Sequence, residues 1–89
     1  MLKYLVEFIG TFILLIVILN KGEAIPIGIA LAAAIYMGGG ISGGHFNPVV
    51  STIMFMKKNI DFTNYAGYIV SQLLGGIGAF FLHKQTIKA

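Results

Sequence analysis

The sequence predicts an all-α membrane fold: three transmembrane helices and one re-entrant half-helix, completed by an inverted second chain. Three observations carry this. Apolar residues make up 57% of the 89-residue chain and charged residues only 10%, against about 25% charged in an ordinary soluble domain. Three long runs are nearly free of charge, and a glycine-rich stretch leads into Asn47-Pro48 and a short apolar run closed by two lysines. The same composition excludes other classes. The six basic residues are all lysines in ones and twos, and the net charge is +3, too thin a basic surface for nucleic acid. Without cysteine there is no disulfide framework, zinc finger or iron–sulfur cluster. Twelve glycines suit membrane helices packing backbone to backbone better than a soluble core.

The first span is Leu2 to Leu19, whose one charge beyond Lys3 is Glu7. Its length crosses a bilayer core, which takes about 20 apolar residues, with Lys3 snorkelling at the lip. A secretory signal peptide would also place a lysine before an apolar run, but Glu7 within it, the absence of a small-x-small site in LNKGEA and further spans downstream oppose that reading. Asn20 to Glu23 make a turn. The second span, Ala24 to Met37, carries Pro26 near its start, where a helix tolerates it. Gly28 with Ala32, and Ala30 with Ala34, form a close-packing face. The third span runs from Tyr65 to Leu82, with Gly67, Ser71, Gly75 and Gly78 as a small-residue stripe along one face.

Between the second and third spans, the Gly-rich stretch Gly38 to Phe46 descends into the bilayer as extended backbone, about five residues at ~3.3 Å each covering the depth. Asn is a strong N-cap and Pro is favoured at the first helical position, so a helix starts at Asn47-Pro48. It runs from Pro48 to Met56 and measures about 14 Å at 1.5 Å per residue, half of a ~30 Å hydrocarbon core. Lys57 and Lys58 favour its C-terminus and sit at the interface, which leaves Asn47 near the midplane.

Non-helical backbone at that depth survives only where protein buries it or water lines it. Three spans and a half-helix cannot enclose it, and an odd span count sets the termini on opposite faces. An upside-down second copy brings its own half-helix from the other side, the architecture of inverted-repeat transport proteins. Lys3, Lys57 and Lys58 balance Lys21, Lys84 and Lys88, so the positive-inside rule sets no orientation. Dual topology and an antiparallel homodimer or higher homo-oligomer follow as expectations.

The order VEFIGTF (6–12), GISGGHFNPVVS (40–51) and YIVSQLLGGIGAF (68–80) resembles the amino-terminal half of an aquaporin, of the major intrinsic protein family. The resemblance covers nearly the whole chain and one of the family's two repeats, so residues 1–89 read as a single aquaporin-like half-repeat membrane domain. Its centre, S-G-x-H-x-N-P-x-V, is specific. Val49 stands where the family typically has Ala and adds bulk at the helix start. Val50 stands where second repeats usually carry the filter Arg, as in first repeats.

Asn47 is the leading site residue. A plain helix cap is the bland reading; the motif and the depth favour a pore role, its carbonyl capping the half-helix while its NH2 donates to water. The half-helix N-terminus adds partial positive charge that repels protons and cations. The resemblance implies that Gly43, Gly44, His45 and Phe46 offer backbone carbonyls as an acceptor ladder beside Asn47, Pro48 and Val49. It also implies that Glu7 holds the loop by accepting from its backbone, with Gln72 in a supporting role or in a plain interhelical hydrogen bond. Ile27, Ile35, Gly44 and Val50 match the family's filter positions; Ile27 and Ile35 could equally be packing residues. His45 has no second metal ligand nearby and His83 lies at the far end, so neither metal nor cofactor is expected.

The chain therefore reads as a passive membrane channel for water and small uncharged solutes such as glycerol, an integral multi-pass protein in the lipid bilayer. It reads as no enzyme: no nucleophile–base pair or phosphate loop is present. Two alternatives stand beside it: a half subunit needing a separately encoded second repeat, and a non-conducting truncated or interaction fragment.

Overall fold

The computed structural model describes residues 1–88. Four helices follow in chain order: α1 (Leu2–Asn20), α2 (Ala24–Ser42), α3 (Pro48–Met56) and α4 (Phe62–Lys88). Three of them, α1, α2 and α4, are long and apolar enough to cross a bilayer. Among the described residues there is no strand. Helix α1 is central, packing against both α2 and α4, while α3 leans on α4.

The half-helix keeps the bounds its local signals dictate. Asn47 caps α3 by accepting from the Val49 N–H at 2.8 Å, and Pro48 occupies the first turn, where its missing N–H costs nothing. The chain leaves α3 through Lys58, in the left-handed region at φ 66°. Asp61 then caps α4 by accepting from the Asn64 N–H at 2.9 Å. Phe55 stacks on Tyr65 with ring centroids 4.7 Å apart, and Thr52 and Tyr65 share a hydroxyl bond of 2.8 Å. These contacts tie α3 to the first turns of α4.

Three expectations need correction. Residues Gly38 to Ser42 are helical, so only Gly43 to Asn47 lie between helices. The helix persists through three consecutive glycines because an apolar solvent leaves backbone groups no other partners. It ends at Gly43 (φ 88°), a left-handed cap that glycine adopts without penalty. The small-residue faces of α2 also part. Ala30 is buried, whereas a side chain at Gly28 would meet nothing within 4 Å, so the Gly28–Ala32 row looks outward. Helix α4 starts three residues before Tyr65 and runs past Leu82, with Asp61 fixing its start.

The α4 stripe packs as its spacing predicts. Gly67 meets the Tyr4 ring and Gly78 the Phe12 ring, and Gly75 faces the backbone of α1 at Phe8 and Phe12. The outer surface stays apolar and uncovered: Ile25, Ile29, Tyr36 and Met37 on α2 are all well exposed.

Candidate pore-lining site

The site is organised around one carboxylate. Glu7, fully buried, sits in the second turn of α1 and reaches across to the loop after α2. One oxygen accepts from the His45 N–H at 3.0 Å and the Ser42 hydroxyl at 2.8 Å. The other accepts from the Phe46 N–H at 2.8 Å and Gln72 Nε2 at 2.9 Å. Four donors from α2, the loop and α4 thus converge on α1. A buried carboxylate demands such pairing, because taking it out of water unpartnered costs more than any packing returns.

The network extends into α3. Gln72 Nε2 also donates to Ser51 Oγ at 2.9 Å, and Ser51 Oγ lies 2.8 Å from His45 Nδ1. Turning the Gln72 amide over would set its oxygen against the Glu7 carboxylate, so the network fixes its orientation. Besides accepting from Gln72, Ser51 Oγ has a proton to donate and a second lone pair to accept with, and either serves the bond to Nδ1 of His45. The His45 ring rests against Tyr68, centroids 4.9 Å apart, and Tyr68 donates to the Ser42 carbonyl at 2.6 Å.

The loop conformation follows from this suspension. Gly43, Gly44 and Phe46 all have left-handed φ, at 88°, 66° and 53°. For Phe46 that is a strained position, the kind of deviation that persists only where surroundings over-determine it. Here the ring is 2% exposed and fills a seat where Gly10 of α1 has no side chain, with Gly38 of α2 beside it. Its backbone N–H is held by Glu7. Among the described residues, no hydrogen bond ends on the carbonyls of Gly43, Gly44, His45 or Phe46.

Most expected site residues come together here. Asn47, Pro48 and Val49 form the exposed start of α3. The Asn47 NH2 has no protein partner among the described residues, its Oδ1 being engaged by Val49. Ile35 lies against Gly44, whose Cβ, if it had one, would be 3.3 Å from Ile35 Cγ1. Ile27 is two helical turns away along α2, about 12 Å at 1.5 Å per residue, and Val50 is half-buried on α3. The sequence reading missed Ser42, Ser51, Tyr68 and Gly10. Ser51 had a signal: a serine one turn beyond Asn47 in an apolar half-helix needs a buried partner.

The sequence model of the major intrinsic protein family matches residues 17–89. The chain belongs to this family. Within it, the chain is 44% identical to glycerol uptake facilitator protein-like 6 of Lactiplantibacillus plantarum, over all of this chain and 45% of that protein. It is 38% identical to human aquaporin-9, over 82% of this chain and 30% of that one. It is 35% identical to a probable glycerol uptake facilitator protein of Thermotoga maritima, over 90% and 42%. The chain thus spans less than half the length of these major intrinsic proteins. No solved structure matches it. Membership and the three spans make it an integral membrane protein.

Proposed function

We propose that residues 1–89 are one half-repeat domain of a passive channel for water and small uncharged solutes such as glycerol, closed by antiparallel pairing with a second copy. The observation that carries this is the state of Asn47. Its Oδ1 is committed to the Val49 N–H, so its NH2 is the group left to donate to a passing oxygen. The run of unpartnered carbonyls from Gly43 to Phe46 supplies the acceptors that single-file water or a polyol needs beside that donor. Glu7, Ser51 and Gln72 hold the loop without touching solute. The names of the relatives, glycerol uptake facilitator and aquaporin, support the solute class.

Pairing is supported by the odd span count, the balanced lysines and the apolar surface left open on α2. Ile35 and Gly44 adjoin in one copy while Ile27 is two turns away. In an antiparallel pair each mouth therefore takes Ile35, Gly44 and Val50 from one copy and Ile27 from the other. Such a mouth is apolar and bears no fixed charge, which suits neutral solutes and admits glycerol as well as water.

The test is reconstitution of the purified chain alone into lipid vesicles, with stopped-flow shrinkage against impermeant osmolyte and glycerol gradients. Shrinkage faster than in empty vesicles is expected for water, followed by glycerol entry. Single cysteines near each terminus, labelled from outside intact cells, should report both orientations. Permeability equal to bare lipid, or one orientation only, would overturn the self-paired channel. A second reading is favoured by the share of the relatives that the chain covers: the other half comes from a different polypeptide. Flux appearing only on co-reconstitution with that half would select it.

A further inference from the structure

The turn between α3 and α4 carries a lysine where the backbone suits glycine. The Asn59 N–H donates to the Met54 carbonyl and the Lys58 N–H to the Phe55 carbonyl, both at 2.9 Å. This nested pair of bonds closes a helix through one residue in the left-handed region, a place usually taken by glycine. Lys58 holds it at φ 66°, with a steric penalty that glycine escapes. The turn is closed by the Lys58 backbone alone. Among the described residues, no hydrogen bond or ion pair ends on its ammonium. That ammonium lines a cleft of about 590 Å³ at the end of α3, walled by Phe55, Met56 and Ile60. Met56 and the adjoining Phe62 are well exposed. Asp61 lines the same cleft. Its Oδ1 caps α4 through the Asn64 N–H, which leaves Oδ2 open. A cation and an anion thus share one cleft without pairing with each other.

We propose that this cleft binds the headgroup of phosphatidylethanolamine, with the lipid phosphate on Lys58 and the primary ammonium on Asp61 Oδ2. Its place in the fold suits a lipid. Helix α3 has nine residues, about 14 Å or half a hydrocarbon core, and its lysine end belongs at the bilayer surface, where headgroups lie. Charge complementarity then selects among lipids. Phosphatidylglycerol brings a phosphate for Lys58 but sets its net negative charge beside Asp61. Phosphatidylcholine carries both charges, yet its methylated nitrogen has no N–H for a carboxylate, which only accepts. The ammonium of ethanolamine donates as a lysine ammonium does. Phe55, Met56 and Ile60 take the upper part of an acyl chain. A ligand here also accounts for the left-handed lysine, since strain of this kind persists where a clamp needs it. The site lies away from the Gly43–Asn47 loop and does not depend on how the channel is completed.

The test is native mass spectrometry of the purified chain in detergent, titrated with an equimolar mixture of phosphatidylethanolamine, phosphatidylcholine and phosphatidylglycerol of matched acyl chains. Ethanolamine-lipid adducts should exceed each of the others about two- to fivefold, the size of one exposed ion pair. Lys58→Gly relieves the turn, so its unfolding midpoint in lipid-free detergent should equal or exceed the parent's, while the ethanolamine preference disappears. Asp61→Asn keeps an acceptor for the Asn64 N–H and should bring the ethanolamine and choline lipids to equal binding. Equal adducts of those two lipids on the parent chain overturn the pairing with Asp61. Phosphatidylglycerol binding most tightly overturns the proposal and leaves a plain cationic surface. An ethanolamine preference that survives both substitutions places the lipid elsewhere. A Lys58→Gly chain less stable than the parent shows that the lysine serves the turn itself, and overturns its assignment to a lipid.

Discussion

Replacing Gly75 by Ala tests the helix contact on which the site depends. A methyl there would lie 2.5 Å from the Phe8 carbonyl oxygen and 3.2 Å from the Phe12 nitrogen. Both are backbone atoms of α1, so no side-chain rotation makes room. The first distance falls about 1 Å short of ordinary contact, and α1 and α4 must part by a similar amount. Overpacking of this kind costs about 1–3 kcal/mol. At about 1.4 kcal/mol per tenfold, the folded fraction falls roughly five- to more than a hundredfold relative to unfolded. The displacement also reaches the loop: Gln72 Nε2, three residues before Gly75, bonds Glu7 at 2.9 Å, and a 1 Å retreat takes that pair beyond hydrogen-bond range. The assay is reversible unfolding in mixed micelles followed by circular dichroism, with vesicle water flux measured on the same preparations. Gly28→Ala is the control, since its Cβ meets nothing within 4 Å; it should be neutral or slightly stabilising. Equal stability and flux for Gly75→Ala and the parent would refute the backbone-to-backbone contact.

Glu7→Gln turns one oxygen into an NH2 that faces donors, so at least one of the Ser42, His45 and Phe46 donors loses its acceptor; about 1–3 kcal/mol of stability should go, seen as a lower unfolding midpoint. Asn47→Asp keeps the cap on the Val49 N–H but removes the NH2, so water flux should drop and a pH-sensitive dye inside vesicles should report proton leak; unchanged flux without leak would reduce Asn47 to a cap. Val50→Arg should cut glycerol entry more than water flux by placing a long cation at each mouth, and equal rates for both solutes would remove Val50 from the conduit.

Much of this fold was legible because its signals are local. Asn47, Pro48 and the lysine pair bracket α3, and the structure keeps the predicted bounds, Pro48 to Met56. The span cores followed from charge-free runs, and the Gly67–Gly78 stripe followed from its spacing. The glycine run misled because low helix propensity is a property of chains in water; in an apolar setting Gly38 to Gly40 have nowhere else to satisfy their backbone groups. The link from Glu7 to the loop backbone came from resemblance, as did a supporting role for Gln72, whose bond to Glu7 the sequence did not indicate. Ser42 and Tyr68 were silent because their partners lie 35 and 26 residues away in sequence, and nothing in the local pattern pairs them; Ser51 signalled a buried partner but not that it would be Gln72, 21 residues on. The Phe46 seat was silent for the same reason: its hollow belongs to two helices at once.

That seat also orders assembly in time. The hollow at Gly10 and Gly38 is built wholly from α1 and α2, both of which precede Phe46 in the chain. A growing polypeptide that has delivered its first two helices to the bilayer therefore holds a finished socket before the aromatic ring arrives. Ser42, at the end of α2, brings the first Glu7 donor with the socket, and His45 and Phe46 add theirs when the ring arrives. Gln72, on the last helix, closes the carboxylate from the remaining side and clamps Ser51 of the half-helix with the same nitrogen. The loop is thus threaded in the order of synthesis, with no segment needing to be withdrawn to admit a later one.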